Sequence, residues 1–391
     1  MRLEGRQYDH GQPVSIDIEN SKIASVDTLR LADKTGLPWI APGLVDLQVN
    51  GYGGKEFGCW ELTVEDVEQI SLEMDSLGVT RYLPTVTTQA HDLLLHAVGT
   101  IAEAIDKCPD VAHRVAGIHL EGPFISAEDG PRGAHPVEHC RPPDWGEFER
   151  LQEVARGHIE LVTLSAEYPS SAEFTKLATQ AGVLVAIGHT NANSEEISRV
   201  VDAGARMSTH LGNGAHATIR RHPNYIWDQL SNDHLVASLI VDGYHLPPSV
   251  VKAMVRGKTP QRVVLISDMT GFAGTLGAEP GLYEHTGLGA VELLEDGRVV
   301  IAGQTEYLAG ATVPLSTGIA NVMRFAGIDL AAAVDMASAR PARLLDLDCG
   351  TIVPGSSADL IQFEISDDGD LEILATFQAG DRVWQREPVS G

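Results

Sequence analysis

Four side chains of the kinds that bind metals and move protons stand at the ends of short apolar runs. Residues 115–120 lead into Glu121, 183–188 into His189, 205–209 into His210, and 263–267 into Asp268. A carboxylate at the tip of a buried strand is costly unless a cation or a proton meets it. Neutral imidazole and carboxylate are ordinary ligands for a divalent ion, and three protein ligands plus a water make a catalytic zinc site. Glu121, His189 and His210 supply those three. Water on such an ion is acidified towards neutrality and becomes a usable nucleophile. Asp268 is placed to take that water's proton and return it to a leaving group. The competing reading makes the histidines hydrogen-bonded core residues and pairs Glu121 with an arginine. Four such tips in one alternating pattern weigh against it.

Tips of this kind can converge only if their strands all end on one side of a sheet. Eight strand candidates run through the middle of the chain: 44–49, 81–87, 115–120, 161–166, 183–188, 205–209, 235–241 and 263–267. Helix-like stretches separate most of them, at 63–77, 93–105, 148–155, 172–180, 195–203 and 249–255, and Thr63 with Asp66 resembles a capping pair. That alternation predicts an α/β chain folded as a (β/α)8 TIM-like barrel, whose active site lies at the C-terminal strand ends. A doubly wound open sheet is the rival, but no glycine-rich phosphate turn follows the first strand. Two late helices, 316–324 and 330–339, would seal the barrel. Both chain ends alternate with a period of two, at 14–18, 22–26, 358–363, 371–374 and 382–384. Residues 1–41 and 345–391 are therefore expected to build one small β-sandwich domain beside a barrel spanning 42–344.

Composition narrows the partners. A formal charge of −26 on 391 residues excludes a broad nucleic-acid or anionic-membrane surface. An anionic substrate would need a local group of basic residues. Cys59, Cys108, Cys140 and Cys349 are scattered without a CxxC pair, which argues against a disulfide framework or a thiolate zinc site. The first residues are polar, and no stretch approaches membrane-spanning length, so a cytoplasmic protein is expected.

Six motifs occur in order: Pro42-Gly-Leu-Val-Asp46, Gly117-Ile-His-Leu-Glu-Gly-Pro123, Gly188-His-Thr190, Thr209-His-Leu211, Val241-Asp-Gly-Tyr-His245 and Leu265-Ile-Ser-Asp268. In this the chain resembles the N-acetylglucosamine-6-phosphate deacetylases, a branch of the amidohydrolase superfamily, from about Pro42 to Leu360. The resemblance implies hydrolysis of N-acetylglucosamine 6-phosphate to glucosamine 6-phosphate and acetate. It implies Glu121, His189 and His210 as ligands of one divalent metal per subunit, zinc with iron or manganese as options, and Asp268 as base and then acid. It gives His245 the task of binding substrate and polarising the acetyl carbonyl. Many amidohydrolases carry His-x-His after the first strand for a second metal. Here those positions are Gln48-Val-Asn50, whose amides are poor replacements, so one metal is expected and Gln48 and Asn50 would orient water, substrate or ligands.

The same resemblance assigns phosphate binding to Arg221, with Asn213 and Gly214 holding the sugar phosphate. Ala134 and His135 match a loop that reaches the phosphate of a neighbouring subunit, which implies a homodimer. Leu308, Ala309 and Gly310 would close over the acetyl end. Two segments depart from the family. It usually has Tyr-Asn-Ala-Met where this chain has Gly212-Asn-Gly-Ala-His216, and the loop 269–274 is also atypical. Smaller residues in the first would open the pocket wall. The alternative substrates are thus N-acetylgalactosamine 6-phosphate or an unphosphorylated N-acyl compound. A non-catalytic scaffold on this fold would show degraded ligands, and all four positions are intact.

Overall fold

Eight parallel strands stand side by side in chain order: Leu44–Val49, Val79–Thr87, Ile118–Glu121, Ile159–Leu164, Leu184–Ile187, Met207–Ser208, Val236–Ile240 and Val263–Ile266. The ring closes where the last strand meets the first. Val49 bridges Met269 in parallel register, the Asp268 amide donates to the Gln48 carbonyl at 3.0 Å, and the Asn50 amide donates to the Met269 carbonyl at 2.7 Å. The computed structural model describes residues 1–30, 36–275, 278–285, 288–305 and 307–387. This is the (β/α)8 barrel that the alternation predicts, with a separate sheet built from the chain ends.

The helices form where the sequence provides both a cap and an apolar face. Thr63 accepts from the Asp66 amide while the Asp66 side chain accepts from the Thr63 amide, and Asn193 and Glu196 repeat the device. Val67 and Ile70 on the first of these helices, and Ile197, Val200 and Val201 on the second, are buried against the strands. Inside the ring, Val45, Leu47, Leu83, Leu161, Ala186, Met207, Ile240 and Val264 form one apolar cluster. Leu344, Leu345 and Leu347 pack against that cluster. The barrel is therefore a filled core with chemistry confined to its rim.

Both chain ends share one seven-stranded sheet. Its order is Asp381–Gln385, Leu371–Gln378, Leu360–Ile365, Trp39–Pro42, Arg2–Gln7, Pro13–Glu19 and Lys22–Thr28. Trp39–Pro42 joins the halves, antiparallel to Leu360–Ile365 and parallel to Arg2–Gln7. A further antiparallel sheet, Gly281–His285, Gly289–Leu293 and Val299–Ile301, follows the last barrel strand, where the sequence reading had placed no strand. Its apolar side chains Val291, Leu293 and Val299 gather with Ala309, and Ala134 and Phe272 pack against them. That contact brings the 281–301 sheet over the mouth of the barrel. Among the described residues no helix is long and apolar enough to cross a membrane.

Candidate active site

Glu121, His189, His210 and Asp268 meet at the C-terminal rim, each between 3% and 8% exposed. His189, His210 and Asp268 each lie two positions past the last residue of their strands and have positive φ values of 48°, 29° and 56°. Left-handed backbone is unfavourable for residues with a Cβ and persists where the surrounding structure holds it, often at functional sites. The turn aims each side chain across the barrel mouth.

The Glu121, His189 and His210 donor atoms crowd one point. Glu121 Oε1 lies 3.2 Å from His189 Nε2 and 2.8 Å from His210 Nε2, and the two Nε2 atoms are 3.0 Å apart. His189 Nδ1 sits 2.9 Å from the Pro131 carbonyl, which can only accept. That contact puts the proton on Nδ1 and leaves the Nε2 lone pair facing inward. Donors about 2.0–2.2 Å from a tetrahedral zinc lie roughly 3.4 Å from one another, close to the spacing here. Two imidazole nitrogens and a carboxylate oxygen converging in a buried site therefore fit a divalent cation. Burial would push the Glu121 carboxyl up, but His189 and His210 outweigh it and hold it well below its ordinary value. Burial likewise opposes charge on His210, and Glu121 overrides it in the upward direction.

Asp268 stands beside this cluster with one oxygen tethered. Gln48 Nε2 donates to its Oδ1 at 2.9 Å and Asn50 Nδ2 donates to the same oxygen at 2.7 Å. Among the described residues nothing donates to Oδ2. Burial and the neighbouring Glu121 carboxylate raise the Asp268 pKa, against the opposing pull of His210, His245 and Asn50. Asp46 pins the strands beneath, its Oδ1 accepting from the Ser267 amide at 3.1 Å and the Gln48 amide at 3.3 Å. His245 completes the rim. Its Nδ1 is 2.7 Å from Asp242 Oδ2, so Nε2 is the atom it offers to the cavity.

The cavity has a volume of about 440 Å³ and also takes in Asn50, Ala134, His135, Asn213, Gly214 and the 308–310 segment. Gly310 is in left-handed backbone, and a Cβ there would lie 2.4 Å from Thr270 Cγ2 and 3.0 Å from the Asp268 carbonyl. Gly214 is equally confined, its hypothetical Cβ 2.7 Å from His189 Nδ1. Glycine at 214 thus serves close packing on a donor histidine as well as the shape of the wall.

Two expected positions differ. His135 is buried within its own chain, its ring edge-on to His189 at 4.3 Å between centroids, instead of reaching outward. Burial and the nearby His189 push its pKa down to about 3. Arg221 is exposed and does not line the cavity, because the chain turns outward after Ala217. Conversely, Glu56, Tyr244, His285, Arg298 and Tyr307 line the cavity without having been singled out. His285, Arg298 and Tyr307 come from the segment after the last barrel strand, whose few apolar residues gave no strand signal in the sequence.

A filled parallel barrel with a cation-binding Glu–His–His set and a tethered carboxylate at its C-terminal rim defines a metal-site hydrolase. The chain belongs to the amidohydrolase family, whose pattern matches residues 39–383. Within that family it is 32% identical, over 358 residues, to the N-acetylglucosamine-6-phosphate deacetylase of Bos taurus, covering 89% of this chain and 84% of the relative. It is 29% identical over 358 residues to the N-acetylgalactosamine-6-phosphate deacetylase of Shewanella sp. (strain ANA-3), with the same coverage. The fold matches a Mycobacterium smegmatis N-acetyl-D-glucosamine-6-phosphate deacetylase variant solved in complex with N-acetyl-D-glucosamine-6-phosphate. The TM-score is 0.86 at 26% identity, over 98% of this chain and 99% of that one.

Proposed function

We propose that this enzyme hydrolyses the N-acetyl group of N-acetylglucosamine 6-phosphate, releasing acetate and glucosamine 6-phosphate. The observation that carries the reading is the pairing of Asp268, tethered through Oδ1 by Gln48 and Asn50, with three buried donor atoms in one cavity. Glu121, His189 and His210 would hold one divalent ion, zinc by donor type, with iron or manganese also compatible. When bound, that ion acidifies a water and polarises the acetyl carbonyl.

The chain's own groups do the rest. Asp268 takes the proton of the attacking water at Oδ2, the oxygen that no amide engages. It then passes that proton to the sugar nitrogen as the carbon–nitrogen bond breaks, so the amine leaves neutral. His245, fixed through Nδ1 by Asp242, directs Nε2 at the substrate. Leu308, Ala309 and Gly310 wall the cavity, and His285 and Arg298 also line it. Asn213 and Gly214 line the sugar side. All four cysteines are free, which suits a reducing cytoplasm. A homodimer goes with this reading.

Purified protein of measured metal content should release acetate from N-acetylglucosamine 6-phosphate far faster than from the unphosphorylated sugar. The galacto isomer is the second reading, favoured by the atypical 212–216 wall and the galactosamine-type relative. Preference for that isomer would replace the gluco assignment while keeping the chemistry. No acetate from any of the three, with about one metal bound per chain, would remove the substrate class.

A further inference from the structure

We propose that Asp46 is a positioning residue for Asp268: it closes the seam between the first and last barrel strands in the register that brings Gln48 onto the base. The proposal rests on the reading of Asp268 as the base of an N-acyl hydrolase. Asp46 lies on Leu44–Val49, is fully buried and does not line the cavity, so it acts on the reaction only through its neighbours.

The seam is the weak join of the ring. Every other neighbouring pair of barrel strands shares a ladder, whereas the first and last share, among the described residues, one parallel bridge between Val49 and Met269. Lower down, the first strand turns to another partner, its Val45 amide donating to the Ala337 carbonyl at 2.8 Å. The Asp46 carboxyl spans the join between these two points. Its Oδ1 accepts from the Ser267 amide on one side at 3.1 Å and from the Gln48 amide on the other at 3.3 Å. The Gln48 carbonyl in turn accepts from the Asp268 amide at 3.0 Å and from Ser267 Oγ at 3.3 Å.

Two properties of the base depend on this join. Ser267 immediately precedes Asp268, whose left-handed backbone, at φ +56°, persists only while its surroundings hold it. Gln48 Nε2 donates to Asp268 Oδ1 at 2.9 Å and so decides which oxygen is left for the proton. One acceptor atom thus fixes both the residue before the base and the residue that tethers it. A carboxyl is costly at this depth. Burial pushes Asp46 up to about 7, against the pull of the Ser267 and Gln48 bonds, and its Oδ2 has no partner among the described residues. A neutral acceptor of the same shape could therefore hold both amides.

Asp46→Ala and Asp46→Asn are compared with wild type, all metal-loaded, on whichever N-acetyl sugar the wild type hydrolyses. Asp46→Ala frees both amides, so kcat should fall about 10- to 100-fold, with KM within about twofold and metal content unchanged. Asp46→Asn keeps an acceptor oxygen, and its kcat should return to within about threefold of wild type. Amide exchange read by mass spectrometry should rise over residues 44–50 and 263–269 in Asp46→Ala alone, a readout that needs no substrate. Asp46→Ser, whose shorter side chain reaches at most one of the amides, replaces the alanine variant if that one does not fold. Full kcat in Asp46→Ala would show a brace and overturns the proposal. Equal losses in both variants would make the charge the effective property and overturn it as well, as would loss of metal in step with kcat. A wild type that releases no acetate from any of the sugars removes the substrate reading instead. Exchange then decides the positioning role: a rise confined to the two segments supports it, and unchanged exchange overturns it.

Discussion

Asp268 is the residue on which the chemistry turns, and its environment explains why a carboxylate can serve twice. A base that must later act as an acid needs a pKa drawn towards the working pH. Burial and the Glu121 charge move Asp268 in that direction, and His210, His245 and Asn50 pull against the rise. The substitution Asp268→Asn tests this directly. Its amide could still present a carbonyl oxygen to Gln48 and Asn50, so the fold and the donor set should survive. Turnover should fall by about 10²–10⁴-fold, with metal content per chain unchanged. A variant that kept wild-type turnover would take Asp268 out of the mechanism. A variant that lost its metal would make Asp268 a ligand instead.

At the scale of elements, the site depends on how closely the segment after the 281–301 sheet approaches the barrel rim. The Ala311 amide donates to the Asp268 carbonyl at 2.9 Å, and the Thr270 amide donates to the Ala311 carbonyl at 3.1 Å. Gly310 lies inside this contact with φ at +73°, against backbone as well as a side chain. Gly310→Ala would meet both a steric and a conformational cost, together about 1–3 kcal/mol of stability. Because the displaced backbone is that of Asp268, catalysis should suffer more than stability, by about 10²-fold for a shift near 1 Å. Thermal unfolding and kcat measured on the same preparation check the two together. Loss of stability with full kcat would show that the strap braces the fold without positioning Asp268. The element also shows where sequence reading stops. Glu121, His189, His210 and Asp268 were legible because each ends an apolar run at a strand tip. The hairpin bearing Arg298 was not, because 281–301 is half-exposed and its few apolar residues pack on one another and on the rim.

At the scale of the whole molecule, the barrel was readable because eight short apolar runs alternate with helical ones. The pairing of the two chain ends was readable because both have a period of two. What sequence spacing could not show is how the terminal sheet is bolted to the barrel, since the bolts are polar and come from distant positions. Asp359, just before Leu360–Ile365, is one of them. Its Oδ2 lies 2.9 Å from Arg81 Nη2 on the second barrel strand, and its Oδ1 lies 3.3 Å from His113 Nε2 and 2.8 Å from the Ala379 amide. Burial would raise the Asp359 pKa, but the His113, Arg81 and Ala379 contacts outweigh it and leave it lowered. A carboxyl with a lowered folded-state pKa adds stability that is fully present above its unfolded value, about 3.9. That stability is lost as the pH falls through the folded value. Asp359→Asn removes the charge and leaves Arg81 facing a neutral amide in a buried setting. It should cost on the order of 3–5 kcal/mol at pH 7. Urea unfolding of wild type and variant should show that gap at pH 7 and a smaller one as the pH drops below about 3.9, where the unfolded carboxyl takes up its proton while the folded one is still ionised. A gap that stayed constant across that range would mean that Asp359 holds the sheet to the barrel through shape and neutral hydrogen bonds, with its charge contributing nothing.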